Sequence, residues 1–285
     1  MPVTASDLQS ASLFSVRGKT AVVTGASGFL GRTFARTLLA NGARVIALGR
    51  SERLQAEAEQ WEGEFGSTSI SFHRIDMYDT EALDRLLEQI ATEEDSIDVL
   101  VNNAQELGPG TGFNVPEGSL DSATMETWMR NLTGGVYWAA QATQKLGAKM
   151  KEQRSGSIIN ISSMYALVAP RPQLYQDTKF INPPGYSASK AALLSFTRYV
   201  ASFWGQYGIR ANAILPGPFS NTEDSTGANS VSQDSPFLQR LRANTCLGRL
   251  GRPDELSGAL LFLASNASSF MTGQAVVVDG GWTAV

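Results

Sequence analysis

Short apolar runs and stretches with helical spacing take turns along this chain, and that alternation restricts it to very few architectures. Thr20–Thr24, Arg44–Leu48, Ser69–Ile75, Ile97–Val101, Gly156–Ile161, Ile209–Leu215 and Gln274–Val278 read as strands. Between them, Phe29–Asn41, a Glu-, Gln- and Ala-rich stretch capped by Ser51, Thr80–Thr92, Ser122–Glu152, Tyr186–Phe203 and Asp254–Ala264 read as helices. Strands that alternate with helices form parallel βαβ units, so the chain is expected to be an α/β protein. The expected fold is a doubly wound parallel sheet of about seven strands with helices on both faces. The 285 residues suit one large domain, 1–285. Two segments interrupt the rhythm: Ala169–Gly185, with Pro170, Pro172, Pro183 and Pro184, and Pro216–Pro236, rich in Ser, Asn, Gly and Asp. Both read as loops, near 164–185 and 217–245, and loops of this length are usually functional or mobile.

The first strand runs into Thr24-Gly25-Ala26-Ser27-Gly28-Phe29-Leu30-Gly31 and then into a helix. Glycines there allow a tight turn and close approach of a pyrophosphate to backbone N–H groups, and the helix N-terminus favours negative charge. This strand–glycine turn–helix order points to a dinucleotide. A carboxylate is expected at the end of the second strand when the cofactor is NAD. Here Gly49 takes that place, followed by Arg50 and Ser51, a cation and a hydroxyl suited to a 2′-phosphate. NADP(H) is therefore favoured, with NAD(H) possible.

Tyr186 and Lys190 stand one helical turn apart and leave the same helix face. A cation beside a phenol stabilises the phenolate, so Lys190 is expected to lower the Tyr186 pKa toward the range useful for proton transfer. A second pair, Tyr175 and Lys179, has the same spacing, but Pro170, Pro172, Pro183 and Pro184 leave little room for a helix around it. The single histidine, His73, lies in an alternating strand pattern and rules out His-rich metal sites. One cysteine, Cys246, permits no intrachain disulfide, and a reducing, cytoplasmic setting fits. A net charge of −4 gives no support for nucleic-acid binding, and no apolar run reaches the length of a membrane span.

Taken together, Thr24-Gly25, Asn102-Asn103-Ala104, Asn131, Ser162-Ser163, Tyr186-x-x-x-Lys190 and Pro216-Gly217 resemble the short-chain dehydrogenase/reductases, from about Gly18 to the terminal Asp279-Gly280-Gly281-Trp282. The resemblance implies a Rossmann-like fold, an NAD(P)-dependent interconversion of alcohol and carbonyl, and a homotetramer or homodimer. It implies that Tyr186 exchanges the substrate proton, and that Lys190 lowers the Tyr186 pKa and meets the nicotinamide ribose. Ser163 would hold the carbonyl oxygen, and Asn131 would support a relay water. Along the cofactor it implies Gly25, Ser27, Gly28, Phe29, Leu30 and Gly31, then Arg50 and Ser51, Asp76 and Met77, and Asn103 and Ala104. Pro216, Gly217, Phe219 and Thr222 would flank the nicotinamide end. The Asn-Pro-Pro before Tyr186 is similar to gluconate 5-dehydrogenase-like, sugar-related members, which implies a polyol, sugar or sugar-acid substrate.

Three departures from the family pattern leave questions open. The T-G-x-x-G-x-x-G spacing resembles longer relatives, so a cofactor-retaining epimerase or dehydratase stays open, as does a non-catalytic NADP-sensing regulator. Gln105 replaces the usual glycine after Asn-Asn-Ala, where it either narrows the pocket or points away. The segment between Ser163 and Tyr186 is longer than usual, and its Arg171, Tyr175 and Lys179 either meet a polar substrate or form a solvated loop. The aromatics Trp128, Tyr137, Trp138, Phe196, Tyr199, Phe203 and Trp204 lie on the two helices that form subunit interfaces in the family.

Overall fold

Seven of the apolar runs are strands in the computed structural model, which describes residues 6, 8–178, 180–219 and 235–285. They are β1 (Thr20–Thr24), β2 (Arg44–Gly49), β3 (Ile70–Arg74), β4 (Val99–Asn102), β5 (Gly156–Ile161), β6 (Ile209–Pro216) and β7 (Ala275–Val278). They form one parallel sheet in the order β3-β2-β1-β4-β5-β6-β7. The α-helices are α1 (Ser10–Leu13), α2 (Gly31–Ala40), α3 (Arg53–Phe65), α4 (Thr80–Glu93), α5 (Met125–Leu132), α6 (Trp138–Gln153), α7 (Pro184–Trp204), α8 (Pro236–Ala243) and α9 (Ser257–Ala264). Among the described residues no helix is long and apolar enough to cross a membrane.

The inner strands β1, β2 and β4 are mostly apolar because both faces of the sheet are covered. Successive side chains point to opposite faces. Ala21, Val23, Val45 and Ala47 pack with Phe34 and Leu38 of α2, Trp61 of α3 and Leu260 of α9. Val22, Ile46 and Leu48 pack on the other face with Leu83 and Leu87 of α4 and Leu146 of α6. A polar chain crosses this second face: Asn102 Nδ2 donates to Thr143 Oγ1 (3.2 Å) and Asn160 Oδ1 (2.8 Å), and Asn160 Nδ2 donates to Thr197 Oγ1 (2.8 Å). It ties β4 and β5 to α6 and α7.

The stretch expected as one helix, Ser122–Glu152, is two helices joined by a π-helical turn, Thr133–Tyr137. It starts late because Thr124 and Thr127 form a reciprocal capping box before Met125. The turn lies where α7 comes closest: a Cβ on Gly135 would sit 2.2 Å from Ser189 Oγ. Helical spacing does not reveal such a bulge, and bulges of this kind collect at functional sites. The segment before α9 is also different from expectation, with Pro253–Leu256 forming a 3₁₀ turn, and α8 occupies part of the stretch read as loop.

The order of the strands reverses direction between β1 and β4, so the connections leaving these two neighbours go to opposite sides. In doubly wound sheets a crevice opens at that point, beyond the carboxyl ends of the strands.

Candidate active site

The carboxyl end of β1 turns at Gly25, whose φ of +65° is open chiefly to glycine. Asn103 fastens this turn to β4. Its Nδ2 donates to Thr24 O (3.1 Å) and Gly25 O (3.0 Å), and Thr24 Oγ1 accepts from the N–H groups of Asn103 and Ala104 (3.1 Å each). Gly31 lies beneath the turn as the first residue of α2. A Cβ there would stand 2.0 Å from Gly25 O and 2.7 Å from Asn103 Nδ2. Gly31→Ala is therefore expected to displace the turn and cost about 1–3 kcal/mol. Urea melts and a dinucleotide titration check this; wild-type values in both would contradict it.

Over the switch point opens a cleft of about 430 Å³. Gly25, Ser27, Gly28, Phe29 and Leu30 form one wall. Arg50, Ser51, Asp76 and Met77, from the ends of β2 and β3, line one end. Asn103, Ala104, Ser163, Tyr186 and Lys190 line the middle, and Pro216, Gly217 and Phe219 the other end. Of the other residues expected in the site, Gly31 and Asn131 lie behind this lining, and Thr222 falls outside the described residues. Asn131 is buried on α5, between a loop and α7. Its Nδ2 donates to Thr111 O and Thr127 O (2.8 Å each), while its Oδ1 has no partner among the described residues.

Helix α7 starts at Pro184, with its proline-fixed backbone in the first turn. This sets Tyr186 and Lys190 one turn apart against the end of β5. Lys190 Nζ donates to Ile161 O (2.9 Å), and Ser162 Oγ donates to Lys190 O (2.8 Å). Ser163 Oγ accepts from Tyr165 N–H (3.2 Å), and Phe113 packs edge-on against the Tyr186 ring (5.2 Å). The expected lowering of the Tyr186 pKa by Lys190 is not what this geometry gives. Burial pushes the phenol up to about 12, with only a hydrogen bond to Ser163 pulling the other way. Burial also pulls the Lys190 ammonium down to about 7. Desolvation disfavours both charged forms here. Lys190 Nζ stands 5.7 Å from the Tyr186 ring centre and is engaged by a carbonyl, so it is a weak counter-ion for a phenolate.

The long segment before α7 packs rather than opens. Tyr175 shares a hydrogen bond with Tyr165 (3.2 Å) and leans on Phe237 of α8. It lies just after a short 3₁₀ turn, not on a helix. Arg171 donates to Asn244 Oδ1 (2.7 Å) and Val285 O (3.2 Å) and lies over Trp282. Lys179 falls outside the described residues. The terminal Asp279-Gly-Gly-Trp motif has a local purpose: Asp279 accepts from the N–H groups of Gly281 and Thr283 (2.8 Å each), seating Trp282 beside Tyr165 and Leu174.

Gln105 is among the residues that line the cleft, and its side-chain amide lies beside Gly134 and Gly135 of the π turn. Its Nε2 donates to Glu106 O (3.1 Å), and its Oε1 is buried without a partner among the described residues. Trp138 also lines the cleft, and its indole N–H is buried and unpaired too. Residue spacing does not reveal Glu106 and Trp138 as cleft residues, because their place follows from how α6 and the loop after β4 meet.

The matching family model is described as Enoyl-(Acyl carrier protein) reductase and covers residues 25–283. L-rhamnose 1-dehydrogenase (NAD(P)(+)) of Azotobacter vinelandii is 36% identical over 273 residues, 92% of this chain and 96% of the relative. Gluconate 5-dehydrogenase of Gluconobacter oxydans is 33% identical over 272 residues, 95% of this chain and 97% of the relative. The crystal structure of a gluconate 5-dehydrogenase from Burkholderia cenocepacia, in complex with NADP and tartrate, aligns with a TM-score of 0.81 at 28% identity, covering 97% of this chain and 100% of that one. The chain belongs to the short-chain dehydrogenase/reductases, a family of oxidoreductases.

Proposed function

We propose that this chain is an NADP(H)-preferring oxidoreductase that interconverts a secondary alcohol and a ketone on a sugar, polyol or sugar acid. The observation that carries this reading is the meeting of Ser163, Tyr186 and Lys190 in the middle of the cleft, with Arg50 and Ser51 at one end. The names of the relatives support the substrate class: one oxidises rhamnose, others gluconate, and one solved neighbour holds NADP.

Hydride chemistry is what NADP(H) supplies when bound; position and the proton come from the protein. Arg50 and Ser51 would hold the 2′-phosphate, and Lys190 the nicotinamide ribose. Ser163 and Tyr186 would point their hydroxyls at one substrate oxygen. A phenol with its pKa near 12 is protonated at neutral pH, so Tyr186 serves first as a general acid toward a carbonyl. Asn131, through its unpaired Oδ1, would anchor the water that returns the proton.

Assembly with further copies of the chain fits the exposed aromatics. Tyr199 and Phe203 stack at 4.3 Å on α7, and both are more than half exposed, as is Tyr137 of the π turn. Trp138, by contrast, belongs to the core.

A panel of keto-sugars, keto-acids of sugars and simple ketones, each with NADPH and with NADH, tests the reading. Fastest turnover is expected for the polyhydroxylated ketones with NADPH. Turnover confined to simple apolar ketones would overturn the substrate class.

A further inference from the structure

Glu106 is an acid in a place where an acid ought to disturb the binding of a phosphate. It lines the same cleft as Arg50, and one of its oxygens stands 3.8 Å from Arg50 Nη2. Yet its side chain is only 11% exposed and is held from the other side. Arg130 Nη2, from α5, donates to both carboxylate oxygens (3.0 and 2.8 Å), and the Tyr78 hydroxyl donates to Oε2. Arg130 is itself fixed, lying 4.5 Å over the Tyr78 ring, which packs edge-on against Trp138 at 4.8 Å.

The two arginines are therefore unequal. Arg130 makes short, charge-assisted hydrogen bonds to the carboxylate; Arg50 makes one long contact, and its side chain is 58% exposed. A single contact at that distance, made by an arginine that is mostly in water, contributes less than the two short bonds from Arg130. Arg130 and Glu106 close to neutral, which leaves the charge of Arg50 available to the cleft.

We infer that Glu106 sets the preference between NADP(H) and NAD(H), and that Arg130 is the positioning residue that holds it in check. With Arg130 in place, the carboxylate is turned away and Arg50 can receive a 2′-phosphate. Without Arg130, the carboxylate is left to pair with Arg50, to repel the phosphate and to accept from the ribose hydroxyl of NAD(H), the pattern expected of an NAD site. The inference rests on the reading of the cleft as an NADP(H) site and deepens it.

The test is equilibrium binding of NADPH and NADH, by fluorescence titration at low ionic strength, where such charges are least screened. Arg130→Met is expected to weaken NADPH about tenfold relative to NADH. Glu106→Gln is expected to improve NADPH relative to NADH by about threefold, a modest effect because Arg130 already neutralises most of the charge. The double variant should regain the wild-type ratio or exceed it. Loss of both cofactors together in Arg130→Met, unrescued by Glu106→Gln, would show a purely structural contact and overturn the inference. An unchanged ratio in Glu106→Gln, in a protein that melts normally, would overturn it as well. Arg50→Ala separates this from failure of the underlying reading. Selective loss of NADPH there, with unchanged ratios in the other variants, rejects only the role of Glu106. Equal loss of both cofactors rejects Arg50 as the phosphate ligand.

Discussion

Tyr186→Phe is expected to lower turnover by at least about a thousandfold while leaving the affinity for NADPH within about twofold. The ring stays, so its edge contact with Phe113 and the packing of α7 survive; only the hydroxyl is lost. A group that donates a proton in the transition state and contributes little to ground-state binding should lower kcat and kcat/KM together. Steady-state rates and a binding titration on the same preparation check this. The pH profile adds an independent mark. With the phenol near 12, reduction by the wild type should show no loss from Tyr186 ionisation across the neutral range. Turnover within tenfold of wild type would remove Tyr186 as the proton donor.

Lys190→Met should lose most of its activity and, at low pH, be more stable than the wild type. Lys190 is 4% exposed, and burial brings its ammonium from an ordinary value of 10.5 to about 7. Between those values the unfolded chain carries a proton that the folded chain lacks. Stability then rises with pH from about 7 to 10.5, and below 7 the full cost of burying the charge is present. A shift of that size is worth about 5 kcal/mol. Methionine carries no such cost, although it leaves the Ile161 carbonyl without its donor. Lys190→Met is expected to melt at least about 5 °C higher at pH 6, with the gain fading toward pH 10. Turnover should fall about 10²–10⁴-fold. Thermal melts across pH check the first part; a variant that is less stable at pH 6 would contradict it. A residue that destabilises the fold is one the site keeps for function.

Most of the fold is legible in the alternation of runs, because a parallel sheet covered on both faces leaves short, mostly apolar runs in its inner strands. The glycine turn is legible as well: Gly25 and Gly31 occur where backbone meets backbone, and no other residue fits the space at 31. What is not legible are the consequences of packing. Helical spacing runs straight through 133–137, yet the approach of Ser189 to Gly135 accompanies a π turn there. The pairing of Tyr186 with Lys190 is legible from a four-residue interval, but the sign of the pKa change is not. It depends on burial and on the Ile161 carbonyl, neither of which a spacing contains. Arg171 and Tyr175 read as candidates for substrate because they are polar and near the site. Their partners turn out to be Asn244, Val285 and Tyr165, brought close only by the fold of α8 and the C-terminal segment. Glu106 is invisible for the same reason, since its partners come from three separate connections.

The glycine spacing that resembles longer relatives leaves one chemical question that a rate alone does not answer: whether hydride leaves the cofactor for good. Deuterated NADPH and a keto-sugar substrate, with mass spectrometry of the product, answer it most directly. The product is expected to carry the deuterium on its new carbinol carbon, with NADPH consumed in step, and Tyr186→Phe is expected to yield none. Conversion of substrate with the label kept on the cofactor and no net loss of NADPH would contradict it.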